Sequence, residues 1–404
     1  MLWSFAGLAA VFVVWSLSAR CLQRLGITPA LALVAAGVLV GIVTRDALAD
    51  NIAAHSVEPV IETVLAMVLF SHATSVRGGF LGGQARLVLR LLFVALPIAL
   101  VLAVVLGLAL LPGLPWPILL VLACVVVPID FAPVASFLHD ERLPVRVRRL
   151  FNVEEGYSDG VIAPIFVFAL AVAVDEVGAA DGLAHALRDG LPHLIVAIAL
   201  GVVLGAGVAW VANAADRRAA TTDQSRRMLT VGVPVLTYAV TVGLHGNGFV
   251  AAFTCGIAFN AVRRYVDAER ELDLVEDVVF ILGDIVWFVF GTVAWYVLQD
   301  GVPMVHVVFG LLVLTVVRAL PVGLALLRSP LTRSDRTLLA ALAPRGTASI
   351  VLALLAYAVL PDEAGETLLE VAIVVVLGSV VMHGLVGHLL AGRGTVDGET
   401  PARQ

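Results

Sequence analysis

Long apolar runs alternate with short polar breaks over almost the whole chain. A run of about 20 apolar residues can cross a hydrocarbon layer about 30 Å thick as a helix. Thirteen such segments can be drawn: 2–19, 27–44, 56–74, 88–111, 115–138, 150–174, 192–214, 228–244, 248–266, 278–298, 302–327, 336–360 and 366–391. The expected fold class is an all-α polytopic membrane protein of about thirteen transmembrane helices. Residues 392–404, with Gly, Thr, Asp and Pro, read as a short flexible tail.

The polar breaks orient the chain. Arg20 and Arg24 follow the first segment, Arg77, Arg86 and Arg90 the third, and Arg142, Arg146, Arg148 and Arg149 the fifth. Arg217, Arg218, Arg226 and Arg227 follow the seventh, Arg263, Arg264 and Arg270 the ninth, Arg328, Arg333 and Arg336 the eleventh, and Arg393 and Arg403 the last. The intervening loops hold only Arg45 and Arg188. Cytoplasmic loops collect positive charge, so the N-terminus is expected outside and the C-terminus in the cytoplasm. The apolar start Met1 to Leu17, followed by Arg20, has its flanks reversed from those of a cleavable leader and counts as a span.

Composition agrees with this class. The chain is 60% hydrophobic and 14% charged with a mean hydropathy of +1.02, more apolar surface than 404 residues of soluble protein could hide. All 25 basic residues are arginine, which fits a GC-rich bacterial genome and a bacterial inner membrane. Cys21, Cys124 and Cys255 are scattered in or beside apolar segments without paired spacing and read as small packing residues, implying neither a disulfide framework nor a metal site. There is no phosphate loop and no zinc-type spacing, so no enzyme of bond chemistry, no cofactor and no nucleic-acid partner is expected.

Two segments are broken at their centres. The fifth carries Pro128, Asp130 and Pro133, and the twelfth carries Pro344, Arg345 and Gly346. With thirteen segments split as six, one linker and six, these breaks fall at corresponding places in the two halves. Matched interrupted spans point to inverted six-helix repeats with two crossed broken helices and a site near the midplane. Asp130 reads first as a cap for a half-helix N-terminus and second as an ion ligand, and Arg345 as the counterpart for exposed carbonyl ends.

The sixth segment is the chemical anomaly. Its twelve Leu, Ile, Val and Phe residues favour insertion by roughly 0.3 to 0.6 kcal/mol each, against about 8 to 10 kcal/mol for Glu154, Glu155 and Asp159 together. Such a helix needs partners, water or an ion. At about 1.5 Å per residue, Asp159 stands roughly 13 Å beyond Leu150, near the middle of the layer, with Glu154 closer to the cytoplasmic side. A carboxylate there holds either a proton or a cation, not both. At 100° per residue, Glu154 and Ser158 share a face and Asp159 lies well round from both, with Glu155 between. Arg318, inside the eleventh segment, needs a counter-charge that Glu154 can supply. His72, near the end of the third segment, could tune a pH response, but a lone interfacial histidine is more often simply solvated.

These residues carry a family resemblance. Pro128 to Phe131 resembles the Thr-Asp-Pro motif of monovalent cation/proton antiporters of the sodium/hydrogen exchanger (NhaP-like) family, and Asp140 to Pro144 is similar to their connecting loop. Glu154 to Gly160 resembles their Glu-Ser-x-x-Asn-Asp-Gly, and Gly246 to Ala251 their Ser-Gly-hydrophobic-Ala stretch. Phe288 to Gly291 is similar to their Phe-x-Phe-Gly, Arg318 to Pro321 to their Arg-Pro span, and Pro344 to Gly346 to their Leu-Arg-Gly break. The resemblance runs through nearly all of the membrane part.

It implies a dimerisation domain (1–80 and 228–298), a linker helix (192–214), a transport core (84–174 and 302–391, with broken helices 115–138 and 336–360) and a cytoplasmic tail (392–404). By residue it implies cation and proton binding at Asp159, with Ser158, Glu155 and Asp130 beside it, a structural ion pair Glu154–Arg318, and charge compensation at the crossing by Asp130 and Arg345. The implied activity is exchange of Na⁺, or of Li⁺ or K⁺, for H⁺ by alternating access in a lipid-embedded homodimer. Three positions depart from the family pattern: Ser158 for Asn or Asp, Ile129 for Thr, and Glu155 for Ser. A neutral Ser158 suggests one-for-one exchange, while Glu155 adds a second titratable group.

Two other classes fit parts of the chain. An intramembrane aspartyl protease would use Asp159 with Asp284, but Ile281 stands where the first Gly of its Gly-x-Gly-Asp element belongs and Tyr157 is separated from Asp159. A cation channel would use acidic rings, but broken repeats, one buried acid and a paired arginine suit alternating access better.

Overall fold

The computed structural model describes residues 2–24, 27–44, 58–76, 83–134, 143–174, 179–264, 270–299 and 301–393. Within these the chain forms fourteen α-helices and no strand. They are α1 (Leu2–Arg24), α2 (Pro29–Thr44), α3 (Glu58–Ser75), α4 (Ala85–Leu110), α5 (Trp116–Val126), α6 (Val145–Val174) and α7 (Ala179–Arg217). After these come α8 (Asp223–Gly243), α9 (Gly248–Val262), α10 (Asp273–Leu298), α11 (Met304–Ala325), α12 (Arg333–Ala341), α13 (Thr347–Val359) and α14 (Asp362–Arg393).

Among the described residues, six stretches are long and apolar enough to cross a membrane: α4, α6, Gly190–Arg217 within α7, α10, α11 and Glu363–Gly384 within α14. The apolar stretches of other helices, such as Ala6–Ala19 within α1, are shorter. The protein is a multi-pass membrane protein. The linker segment expected at 192–214 begins earlier, because the helix runs straight through Pro192 from Ala179. The expected connecting-loop residues Asp140, Glu141 and Arg142 and the tail from 394 onward lie outside the described residues.

Both interrupted segments are more open than kinked helices. Of the span expected at 115–138, residues 135–138 lie outside the described residues, and the first helix ends at Val126. Pro128 lacks an amide proton and disfavours helical geometry before it, and the chain then runs through Asp130 to a short 3₁₀ turn at Ala132–Val134. The span expected at 336–360 is two helices, α12 and α13, separated by Leu342 to Gly346. The two unwound stretches cross, and the Asp130 N–H donates to the Pro344 carbonyl at 2.9 Å. Glycine is required at 346, because a Cβ there would lie 2.4 Å from Cγ of Asp130.

A second matched pair of irregularities lies beside the crossing. A π-helical turn occurs in α4 at Leu91–Ala95 and another in α11 at Val313–Val317. These are the segments immediately preceding the two breaks, so each half of the chain carries the same succession of π turn and interruption.

Small residues set the helix spacing elsewhere, as lipid-embedded packing requires. Gly37 of α2 and Gly291 of α10 let those backbones meet, with the Thr292 hydroxyl donating to Gly37 O at 3.1 Å. Gly201 and Gly205 of α7 lie against Ala251 and Cys255 of α9, and Gly256 of α9 against Phe70 of α3. At one end of the bundle, Arg226 of α8 binds Asp216, Asp223 and Glu271 together. Burial pushes the Glu271 carboxyl up, and Arg226 opposes the shift.

Candidate functional site

The functional side chains converge on α6 and the crossing. Asp130, Glu154, Glu155, Ser158, Asp159, Arg318 and Arg345 are all buried.

At the crossing the helix ends find side-chain partners. Asp130 Oδ1 accepts the Ala132 N–H at 2.8 Å and Oδ2 accepts the Ala348 N–H at 3.2 Å, so one carboxylate serves the N-terminal ends of two helical pieces. That is where half-helix dipoles are positive and amide protons lack intrahelical acceptors. Arg345 serves the opposite ends. Its Nε donates to Val126 O, the last residue of α5, at 2.6 Å, and Nη1 donates to Ala343 O at 2.7 Å. A guanidinium 1% exposed is tolerable only with such acceptors around it.

Two further residues of α14 hold this backbone. The Arg345 N–H donates to Ser379 Oγ at 2.8 Å, and the Ala343 N–H to His383 Nε2 at 3.1 Å. With Nε2 accepting, the His383 ring proton sits on Nδ1, facing Ser379 O at 2.8 Å. Sequence reasoning missed both, since a Ser and a His four residues apart in an apolar span look like ordinary packing.

On one face of α6, Glu154 and Arg318 form a bidentate pair, Nη1 to Oε1 at 2.5 Å and Nη2 to Oε2 at 3.1 Å. Nη2 also donates to Leu339 O of α12 at 2.8 Å. The pair thus ties α6, α11 and α12 together. Beside it lies a cavity of about 20 Å³, lined among others by Glu154, Ser158, Arg318 and Arg345. That is room for one water, and Arg318 Nε has no protein partner.

Glu155 turns toward the crossing, where Oε1 accepts the Phe131 N–H at 2.7 Å. Ser158, expected beside the ion, turns its hydroxyl to its own helix. Its hydroxyl donates to Glu155 O of its own helix at 3.2 Å and lies on the Glu154 side, as the 40° offset between Glu154 and Ser158 requires.

Asp159 differs from the other buried acids around the crossing, Asp130, Glu154 and Glu155. Its Oδ2 meets His72 Nδ1 at 3.1 Å, and its Oδ1, fully buried, has no hydrogen-bond partner. The expectation of a solvated His72 is therefore corrected: α3 presents it to α6. Glycine makes the approach possible. A Cβ on Gly156 would fall 3.0 Å from His72 O and 2.6 Å from Val76, and one on Gly160 would strike the Phe253 ring of α9. In sequence the only hint was Gly156 and Gly160 flanking Asp159 at helical spacing. Nothing joined His72 to Asp159, 87 positions later.

Buried side chains of this kind can exchange one small cation for a proton: an acid with a free oxygen, beside the paired charges of Glu154 and Arg318. A family model described as sodium/hydrogen exchanger, transmembrane, matches residues 7–391. The fold is similar to a structure of the sodium proton antiporter MjNhaP1 from Methanocaldococcus jannaschii at pH 8, with a TM-score of 0.78 and 16% identity, covering 95% of this chain and 99% of that one. An electron-microscopy structure of the same antiporter matches with a TM-score of 0.73 and 15% identity, over 100% of both chains.

Proposed function

The chain belongs to the sodium/hydrogen exchanger family, and from that premise we propose that its cation/proton exchange takes Na⁺, before Li⁺ or K⁺, and that Asp159 carries cation and proton in turn. The observation that carries this reading is the uncovered Oδ1 of Asp159, the oxygen of a buried carboxylate that the protein leaves for something else to bind. Glu155 adds its second oxygen. Its first is held by the Phe131 N–H, and with Ser158 neutral and Asp159 alone giving up its proton the exchange is one for one.

Alternating access follows from the energetics of that carboxylate. A bare charge is expensive to move through a low-dielectric layer, and a proton or a cation covers it. The core (84–174 and 302–391) therefore moves past the dimerisation domain (1–80 and 228–298) only when Asp159 is loaded. Asp130 and Arg345 keep the half-helix ends satisfied throughout and do not ligate the ion, and Glu154 with Arg318 holds the core rigid. The assembly is a homodimer in a bacterial inner membrane, N-terminus outside and C-terminus cytoplasmic.

The test is proton flux in everted vesicles or proteoliposomes, followed with a quenched dye after addition of NaCl, LiCl or KCl. Wild type is expected to respond to Na⁺ most strongly and Asp159→Asn to none of the three. Cation-dependent dequenching in the variant equal to wild type would remove the assignment.

A further inference from the structure

The polar cluster beside Asp159 holds one donor that a hard alkali cation has little use for. His72, Asp130 and Glu155 each offer a ligand-capable atom, and the three atoms lie within 4.8 Å of one another. They come from three separate elements: α3, the unwound stretch after α5, and α6. Alkali cations are held by oxygen, whereas an imidazole nitrogen joined to carboxylates suits borderline divalent ions of the first transition row, with affinity rising toward copper and zinc.

The cluster is not merely a group of acids. Asp159, 4% exposed, lies in contact with His72 through Oδ2 and holds Oδ1 without a partner. The capping bonds do not exhaust the carboxylates either. Each Asp130 oxygen accepts one amide proton and Glu155 uses Oε1 alone, and a carboxylate oxygen has two acceptor sites. Two carboxylates also balance a doubly charged ion, which lessens the penalty of placing it in a buried site.

We propose that His72, Asp130 and Glu155 form a binding site for a divalent first-row transition-metal ion, Zn²⁺ foremost, adjoining the carboxylate of Asp159. The site shares Glu155 with the exchange reading given above, but its occupation is measured without transport.

Full-length protein in detergent, with any affinity tag removed, is titrated with ZnCl₂ in a calorimeter and with CoCl₂ under visible spectroscopy. One saturable equivalent is expected for wild type, with a Co²⁺ d–d spectrum that changes in His72→Gln. His72→Gln and Glu155→Gln are each expected to weaken Zn²⁺ at least about tenfold, with thermal melts in the absence of metal showing that both are folded. Absence of saturable binding up to millimolar metal, or wild-type affinity in a folded His72→Gln, overturns the proposal, since any remaining binding then belongs to other histidines. The exchange reading fails separately, by an Asp159→Asn variant that still exchanges.

Discussion

Glu154 and Asp159 are buried acids on the same helix, yet the protein treats them in opposite ways. Glu154 is closed: a guanidinium covers both its oxygens, and that guanidinium is itself anchored to α12. Asp159 is open: one oxygen touches an imidazole and the other has no hydrogen-bond partner. A buried acid whose charge is balanced by a bidentate guanidinium has little call for an ion, and one with an unbonded oxygen and no guanidinium beside it does. Burial alone does not separate structural from working charges. The partner that balances the charge does.

The comparison breaks most visibly at Arg318. Arg318→Ala leaves Glu154 buried and uncompensated, which is expected to destabilise the protein by about 3 to 5 kcal/mol and to appear as a lower melting temperature and folded yield on fluorescence-detected gel filtration. The Glu154→Ala, Arg318→Ala double variant should recover part of that loss. Normal melting with selective loss of turnover would move the pair to the open class.

Gly156 controls whether the open side keeps its shape. In Gly156→Ala the new methyl meets His72 O and Val76, both of α3. Overpacking of this kind typically destabilises by about 1 to 3 kcal/mol. The helices should part, so the His72 ring resonance in NMR of histidine-labelled protein should lose its dependence on Asp159→Asn. An unchanged melt and an unchanged resonance would show that α3 yields without strain and that glycine is not what brings His72 to the site.

These contrasts were unequally legible in the sequence. The thirteen segments, the two breaks and the misplaced acids are local properties of hydropathy and proline, and they can be read along the chain. Arg318 and Glu154 announce themselves because an intramembrane charge needs its opposite, and the structure brings them within 2.5 Å. His72 could not be found that way. Its position depends on how closely α3 and α6 approach, a tertiary quantity set by what faces Gly156. Ser379 and His383 were hidden for a similar reason: the groups they satisfy are backbone atoms of another segment, and backbone carries no residue-specific mark. The helical-wheel angles for α6 placed Ser158 with Glu154, while the family pattern placed it with the ion; its hydroxyl donates to Glu155 O of its own helix.

Asp159→Asn sharpens the comparison from the stability side. The amide is nearly isosteric and removes a buried charge whose Oδ1 has no partner, so the melting temperature should match or exceed wild type, with any loss below about 1 kcal/mol. Glu154→Gln, by contrast, should melt lower, since it strands the Arg318 charge. Equal losses in the two variants would mean that both acids are structural.

The smallest effect is expected at Ser158, and it tests where the boundary between the two sides of α6 falls. The hydroxyl returns to the carbonyl of Glu155 in its own helix, a bond that slightly disfavours regular helix geometry. Ser158→Ala removes the bond and improves helix propensity by up to about 0.5 kcal/mol, so stability should change little and Na⁺-dependent proton flux should keep its cation preference. Because Ser158 lines the small cavity with Glu154 and Arg318, a water there has one polar neighbour fewer in the variant. If Ser158→Ala instead lost discrimination between Na⁺ and K⁺, the hydroxyl would have to swing from Glu155 O toward Asp159 when the ion arrives. The paired and unpaired sides of α6 would then be two states of one site, not two separate regions.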